Sequence, residues 1–294
     1  MNSTLLSFPL DWSARTYVMG ILNITPDSFS GDGLLSKSGG IETILEQARR
    51  FVAEGAHILD VGGESTRPGS QAVGVEEELA RVVPVVRALA AENLNVPISV
   101  DTYKAAVAEA ALEAGAHWIN DVWALRADPL MAAVAARRKA PLILMHNRSK
   151  PDKTELLERL GGSYLGAAYT DLLEDVKNEL MQSVNLARQA GVADEQIILD
   201  PGIGFGKSVK HNLELINRLD EITALGFPVL LAPSRKSFIG HTLNLPPDER
   251  VEGTAAAICA GILRGANLVR VHDVKIMSRV AAMSDAIIGR TGVA

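Results

Sequence analysis

The chain reads as an α/β protein of the (β/α)₈ type, a TIM barrel formed as a single domain over residues 1–294. Eight short apolar runs alternate with amphipathic, Ala-rich stretches along its length. Many of the runs end in a polar side chain, as in 57-HILD-60, 97-PISVD-101, 118-WIND-121, 141-PLILMH-146, 196-QIILD-200 and 268-LVRVHD-273. Polar groups gathered at successive strand ends are the mark of an active site on a parallel barrel. A length of 294 residues is normal for that architecture.

The first strand is placed at 17–23 and leads into a long loop that ends near residue 40. Helix 41–54 follows, with Ile41, Ile44, Leu45, Ala48, Phe51 and Val52 at spacings of three and four. Gly55 suits its left-handed C-terminal cap. Strand 57–61, the Gly- and Ser-rich loop 62–75 and helix 76–91 form the second unit. Strands 97–101, 117–121 and 141–145 alternate with helices 103–115 and 128–139. An irregular stretch over 147–165, with Gly161-Gly162, precedes helix 166–190. Strand 196–200, helix 211–225, strand 228–232, helix 252–264, strand 267–271 and helix 275–290 complete the chain. Gly-Ala introduces three strands, at Gly55-Ala56, Gly115-Ala116 and Gly265-Ala266. Alternation alone also admits an open doubly wound sheet.

The hydrophobic share of 47% supplies a large core, and the aromatic share of 4% leaves Leu, Ile, Val and Ala to fill it. A net charge of −6 without runs of like charge argues against a nucleic-acid partner, and any phosphate site must be local. The single cysteine, Cys259, permits no internal disulfide and suits a reducing compartment. It reads as a small apolar helix residue rather than a nucleophile. No apolar run has membrane length, and the N-terminus lacks a basic start followed by an apolar run, so a cytoplasmic location is expected.

Loop 23-NITPDSFSGDG-33 carries the amide of Asn23, carboxylates at Asp27 and Asp32, and hydroxyls at Thr25, Ser28 and Ser30. It can give one oxygen to Mg²⁺, which takes the rest from water and substrate phosphates, or it is a turn with solvated side chains. Arg67, in 62-GGESTRPGS-70, is either a guanidinium that closes over an anion or an exposed loop arginine. Asp101, Asn120 and Asp200 offer acceptors and donors for a flat, nitrogen-rich heterocycle, although Asp101 is also a candidate helix N-cap. The stretch 233-PSRKSF-238 follows the seventh strand. Arg270 and His272 share a face of the eighth, where such barrels bind phosphate. No Ser/His/Asp or Cys/His order and no His-x-x-x-His zinc spacing stands out, and 202-GIGFG-206 lacks the dinucleotide Gly-x-Gly-x-x-Gly pattern.

Taken together and in order, 18-VMGILNITPDSFS-30, 58-ILDVGGESTRPGS-70, 98-ISVDTYK-104, 119-IND-121, 199-LDPGIGFGK-207, 234-SRKSFIG-240 and 268-LVRVHDV-274 resemble the dihydropteroate synthase family. The resemblance spans nearly the whole chain. It implies a homodimeric (β/α)₈ barrel that joins 6-hydroxymethyl-7,8-dihydropterin diphosphate to 4-aminobenzoate, releases pyrophosphate, and is the target of sulfonamides. By the same resemblance, Asn23 is the Mg²⁺ ligand, and Asp101, Asn120, Asp200 and Lys236 hold the pterin. Thr66, Arg270 and His272 hold the diphosphate; Arg67 and Pro68 form a mobile loop; Phe205 and Ser237 face the aminobenzoate. Asp101, Asp200, Lys236 and Arg67 are the expected catalytic set.

The family usually reads Ser-Phe-Ser-Asp-Gly-Gly on the first loop, where this chain has 28-SFSGDG-33, moving the carboxylate to Asp32. After the fifth strand, 145-MHNRS-149 departs from the family's Met-His-Met/Gln. Two alternatives remain open, a methyltetrahydrofolate-binding methyltransferase barrel and a non-catalytic pterin binder.

Overall fold

Apolar runs flanked by Gly and Pro become strands when helices cover their outer faces, and all eight expected runs do so here. The structure is a computed structural model that describes residues 8–24, 40–65, 70, 72–150, 154–157, 160–164, 166–290 and 292. Thr66, Arg67, Pro68 and the loop residues from Thr25 to Asp32 therefore lie outside the described residues.

The barrel strands are β1 (Tyr17–Asn23), β2 (Ile58–Gly62), β3 (Ile98–Asp101), β4 (Trp118–Asp121) and β5 (Leu142–Met145). A hairpin of β6 (Thr154–Leu157) and β7 (Gly161–Tyr164) follows, and then come β8 (Ile197–Asp200), β9 (Leu230–Leu231) and β10 (Leu268–Val271). Seven parallel pairings order the sheet β8-β5-β4-β3-β2-β1-β10-β9. The two ends of that order meet at a parallel bridge between Leu199 and Val229, where the Leu199 N–H donates to the Pro228 carbonyl at 2.9 Å. The sheet therefore curls into a nearly closed barrel rather than an open sheet. The helices between strands are α1 (Gly40–Ala53), α2 (Val75–Ala91), α3 (Ala105–Ala114), α4 (Met131–Arg138) and α5 (Leu172–Gln189). They continue with α6 (Val209–Asn217), α7 (Asp220–Thr223), α8 (Ser237–Leu243), α9 (Val251–Leu263) and α10 (Val274–Ile287).

Four features differ from the expectation. The stretch read as irregular contains the antiparallel β6–β7 hairpin. Helix α5 starts at Leu172 because the Asp171 side chain accepts the N–H groups of Leu173 and Glu174 and fixes the first turn there. The helix expected over 211–225 is broken between α6 and α7, and Arg218 at the break pairs with Glu214 and Glu221 on either side. A further short helix, α8, opens directly at Ser237.

Side chains alternate across each strand, which divides the core in two. Outward residues such as Leu22, Leu59, Val100, Ile119, Leu144 and Leu199 pack beneath the helices. Inward residues such as Met19, Ile58, Trp118, Ile143, Ile198 and Leu268 fill the N-terminal half of the barrel. Phe8 stacks edge-on against Trp118 at 5.3 Å, and Trp12 against Tyr17 at 5.4 Å, closing that end. Two residues further along β2, β4, β8 and β10, the same inward face turns polar.

Candidate active site

One step beyond Ile58, Trp118, Ile198 and Leu268, the inward positions are Asp60, Asn120, Asp200 and Arg270, and Asp101 occupies the same side of β3. The parallel register staggers these positions around the barrel: Asp60 is paired with Ser99, Asp101 with Gly62 and Asn120, and Asp200 with Met145. Arg270 reaches across the barrel, donating through Nε to Asp60 Oδ2 at 2.6 Å and through Nη2 to Asp101 Oδ2 at 2.7 Å. Asn120 Nδ2 donates to the same Asp60 oxygen at 3.1 Å. Among the described residues, Asp60 Oδ1 and Ser99 Oγ are buried without a hydrogen-bond partner. Asp101 does not cap α3; that role falls to Asp128, whose Oδ2 accepts the Ala105 N–H at 2.8 Å. Burial raises the Asp101 carboxyl above the ordinary range, against the pull of Arg270.

The Gly-rich loop after β8 builds the adjoining wall. Asp200 Oδ1 accepts the Gly202 N–H at 2.7 Å, folding the loop back on the strand end. Gly202 has φ +68° and lies so close to the His146 carbonyl that a Cβ would collide with it. Gly204, at φ +87°, leaves room for Lys236, whose Cδ would lie 2.9 Å from a Cβ there. The Lys236 ammonium therefore enters over the loop, donates to the Ile203 carbonyl and sits 4.5 Å from the Phe205 ring centroid. Burial pushes Lys236 down to about 8, opposed by Asp200, and burial also raises Asp200, opposed by Lys236. Three inward carboxylates (Asp60, Asp101, Asp200) thus face two cations (Arg270, Lys236) at one mouth.

His272 lies next on the inward face of β10, with Nδ1 3.0 Å from Ser234 Oγ. Ser237 begins α8 beside Lys236, whereas Arg235 is turned away onto Asp273 at 2.9 Å. Asn23 ends β1, with its Oδ1 and Asp101 Oδ2 on either side of Gly62, where a Cβ would stand 3.9 and 3.6 Å from them. Among the described residues no cluster of three His, Cys, Asp or Glu side chains could hold a metal alone. One amide oxygen at the rim fits Mg²⁺ that takes its other ligands from phosphate and water.

Asn23, Asp101, Asn120, Asp200, Phe205, Lys236, Ser237, Arg270 and His272 thus all come to the C-terminal mouth of the barrel. Asp60 was not singled out by sequence reasoning, although 57-HILD-60 repeats the strand-end pattern and the two-residue period puts it on the face of Ile58. A second cluster was missed: Lys104 is shared by Glu64 and by the fully buried Glu78, and the Tyr103 hydroxyl donates to Glu64 at 3.0 Å. It packs beneath the start of the loop after β2.

The model of the pterin binding enzyme family matches residues 19–272. Dihydropteroate synthase of Bacillus subtilis is 50% identical over 284 residues, covering 97% of this chain and 93% of that protein. The crystal structure of a dihydropteroate synthase from Clostridium difficile with pteroic acid superposes with a TM-score of 0.85 at 44% identity, covering 95% of this chain and 99% of that one. The Xanthomonas albilineans dihydropteroate synthase with 4-aminobenzoic acid gives a TM-score of 0.83 at 40% identity, with 94% of both chains covered. With the barrel, its inward polar layer and near-full-length identity in agreement, the chain belongs to the pterin binding enzyme family, among the dihydropteroate synthases.

Proposed function

We propose that the chain joins 6-hydroxymethyl-7,8-dihydropterin diphosphate to 4-aminobenzoate, giving 7,8-dihydropteroate and pyrophosphate. The observation that carries this reading is the gathering of Asp101, Asn120, Asp200 and Lys236 at one mouth, with Arg270 reaching across it. A bicyclic ring rich in N–H donors and ring-nitrogen acceptors needs that mixture. Asp200 accepts ring N–H groups, Asn120 offers a carbonyl and an N–H, and Lys236 donates to a ring acceptor.

The bond between the exocyclic methylene and the diphosphate oxygen breaks, and positive charge grows on the carbon as negative charge grows on the leaving group. Asp101 and Asp200 favour the cationic ring, while Arg270 and His272 steady the departing tail. The arylamine nitrogen then gives its lone pair to the methylene, and the new C–N bond is completed when the nitrogen releases a proton to solvent. No covalent enzyme intermediate is required. Phe205 and Ser237 wall the aminobenzoate side, and the family resemblance assigns Thr66 to the diphosphate and Arg67 and Pro68 to the second loop. Asn23 supplies the protein oxygen for Mg²⁺, which when bound neutralises charge on the diphosphate.

This reading includes a homodimer in the cytoplasm. The exposed apolar side chains of Leu263 on α9 and of Met283 and Ile287 on α10 support a partner surface there. The single cysteine supports a reducing compartment.

The test is pyrophosphate release by purified protein given Mg²⁺, pterin diphosphate and 4-aminobenzoate. Equimolar pyrophosphate and dihydropteroate, suppressed competitively by a sulfonamide, is the expected result. Binding of pterin diphosphate without turnover would instead indicate a silent binder. Methyl transfer from methyltetrahydrofolate would indicate the methyltransferase alternative.

A further inference from the structure

Lys207 closes the Gly-rich loop yet has no part in the chemistry above. Its side chain is buried, with only 3% of the residue exposed. A lysine buried to that degree must satisfy its Nζ donors, and four acceptors surround this one, the His146 carbonyl at 3.4 Å being the most distant. Nζ lies 2.9 Å from His146 Nδ1, 2.9 Å from the Gly202 carbonyl and 3.1 Å from the Phe205 carbonyl.

What stands behind His146 decides which partner donates. His146 Nε2 lies 3.1 Å from Glu179 Oε2, near enough for the carboxylate's charge to favour the ring proton on Nε2 although the two are not aligned as a hydrogen bond. Glu179 accepts from Arg148 Nε at 2.8 Å, and both Arg148 and His146 hold its carboxyl down to about 2. An ionised carboxylate offers no proton, so the imidazole keeps its own on Nε2 and presents a bare Nδ1. Lys207 is then the donor. Burial pushes Lys207 well down from the ordinary lysine range, and the Asp200 and Glu179 carboxylates oppose that.

The two loop carbonyls drawn onto this Nζ belong to Gly202 and Phe205. Between them lies Ile203, whose carbonyl faces the other way and accepts from Lys236. Phe205 itself presents its ring to Lys236. The loop is thus wound between two lysines, Lys207 on its buried side and Lys236 on its open side. The Tyr169 hydroxyl adds a bond to the Gly206 carbonyl at 3.2 Å, and the Arg148 guanidinium stacks 4.3 Å from the Tyr169 ring.

We propose that Lys207, oriented by His146 and Glu179, is a positioning residue that fixes Phe205 and the Ile203 carbonyl and so sets the wall on which the arylamine and the pterin meet. This rests on the function proposed above. None of the three side chains touches substrate; each acts through the loop.

The experiment uses the purified full-length chain with three readouts: circular dichroism for folding, steady-state kinetics with both substrates, and nitrogen NMR of His146. Wild type is expected to show a neutral imidazole protonated on Nε2. Lys207→Met should raise the KM for 4-aminobenzoate about tenfold or more while the folded spectrum persists, because the ring wall is no longer held. Glu179→Gln, at the partly exposed end of the chain of contacts, should raise the same KM by a smaller factor and mix the His146 tautomers. It carries the test alone should Lys207→Met not fold. A folded Lys207→Met with unchanged KM, a Glu179→Gln with unchanged KM and tautomer, or wild-type His146 protonated on Nδ1 would each overturn the proposal. Wild-type protein that releases no pyrophosphate would count against the function instead.

Discussion

Arg270 and Asp60, 210 positions apart in sequence, are joined at 2.6 Å from Nε to Oδ2 inside the barrel. Asp60 is fully buried and the Arg270 side chain is 17% exposed, so the pair lies largely out of water. Removing one partner of such a pair strands the other charge, at a typical cost of about 3–5 kcal/mol. Asp60→Ala is expected to lower unfolding stability by about 3 kcal/mol, and Asp60→Asn, which keeps an acceptor, by less. Urea denaturation measures both, and equal midpoints for wild type and Asp60→Ala would contradict this.

Arg270→Ala should weaken pterin diphosphate more than bare pterin. The loss removes a cation near the tail and leaves the Asp60 and Asp101 carboxylates facing it uncompensated. Charge-assisted hydrogen bonds are worth about 1.5–3 kcal/mol, so the extra loss should be about 10- to 100-fold by calorimetry. Equal losses for both ligands would remove Arg270 from the diphosphate role.

Asp200→Asn should lower affinity for both ligands, by about tenfold or more, because the carboxylate that accepts ring N–H groups becomes an amide with a single acceptor. Unchanged affinity for bare pterin in the same titration would exclude Asp200 from ring recognition.

Lys236 sets the alkaline limit. Its ammonium titrates near 8, the cation being present below that pH and lost above it. Pterin affinity should therefore be level below about pH 7 and fall as pH rises through about 8 to 9. Lys236→Met should bind more weakly at neutral pH and lose that fall. Fluorescence titration across the range checks it, and a wild-type profile flat to pH 10 would be inconsistent with a donor role.

The barrel was legible because buried parallel strands are short, apolar and closed by polar side chains, as 196-QIILD-200 illustrates. The β6–β7 hairpin was not, because Thr154–Leu157 is too brief to show a period and Gly161-Gly162 reads as loop. Helix α8 escaped for the same reason, being only seven residues long and starting within a stretch read for its cations. At the site, Asp101, Asn120 and Asp200 were visible as strand-end polar groups. Asp60 ends the same pattern in 57-HILD-60 but was not picked out as a site residue, because β2 continues to Gly62 and its role makes sense only once Arg270 is known to face it. Lys207, His146 and Glu179 come from three separate elements, and no local pattern announces their contact.

A crystal structure of the protein soaked with a dihydropterin tests the central claim most directly. The ring should lie inside the C-terminal mouth of the barrel, within hydrogen-bond distance of Asn120, Asp200 and Lys236, with its methylene directed toward Arg270 and His272. A ring bound elsewhere on the chain, or in the mouth with no contact to Asn120 or Asp200, would contradict it.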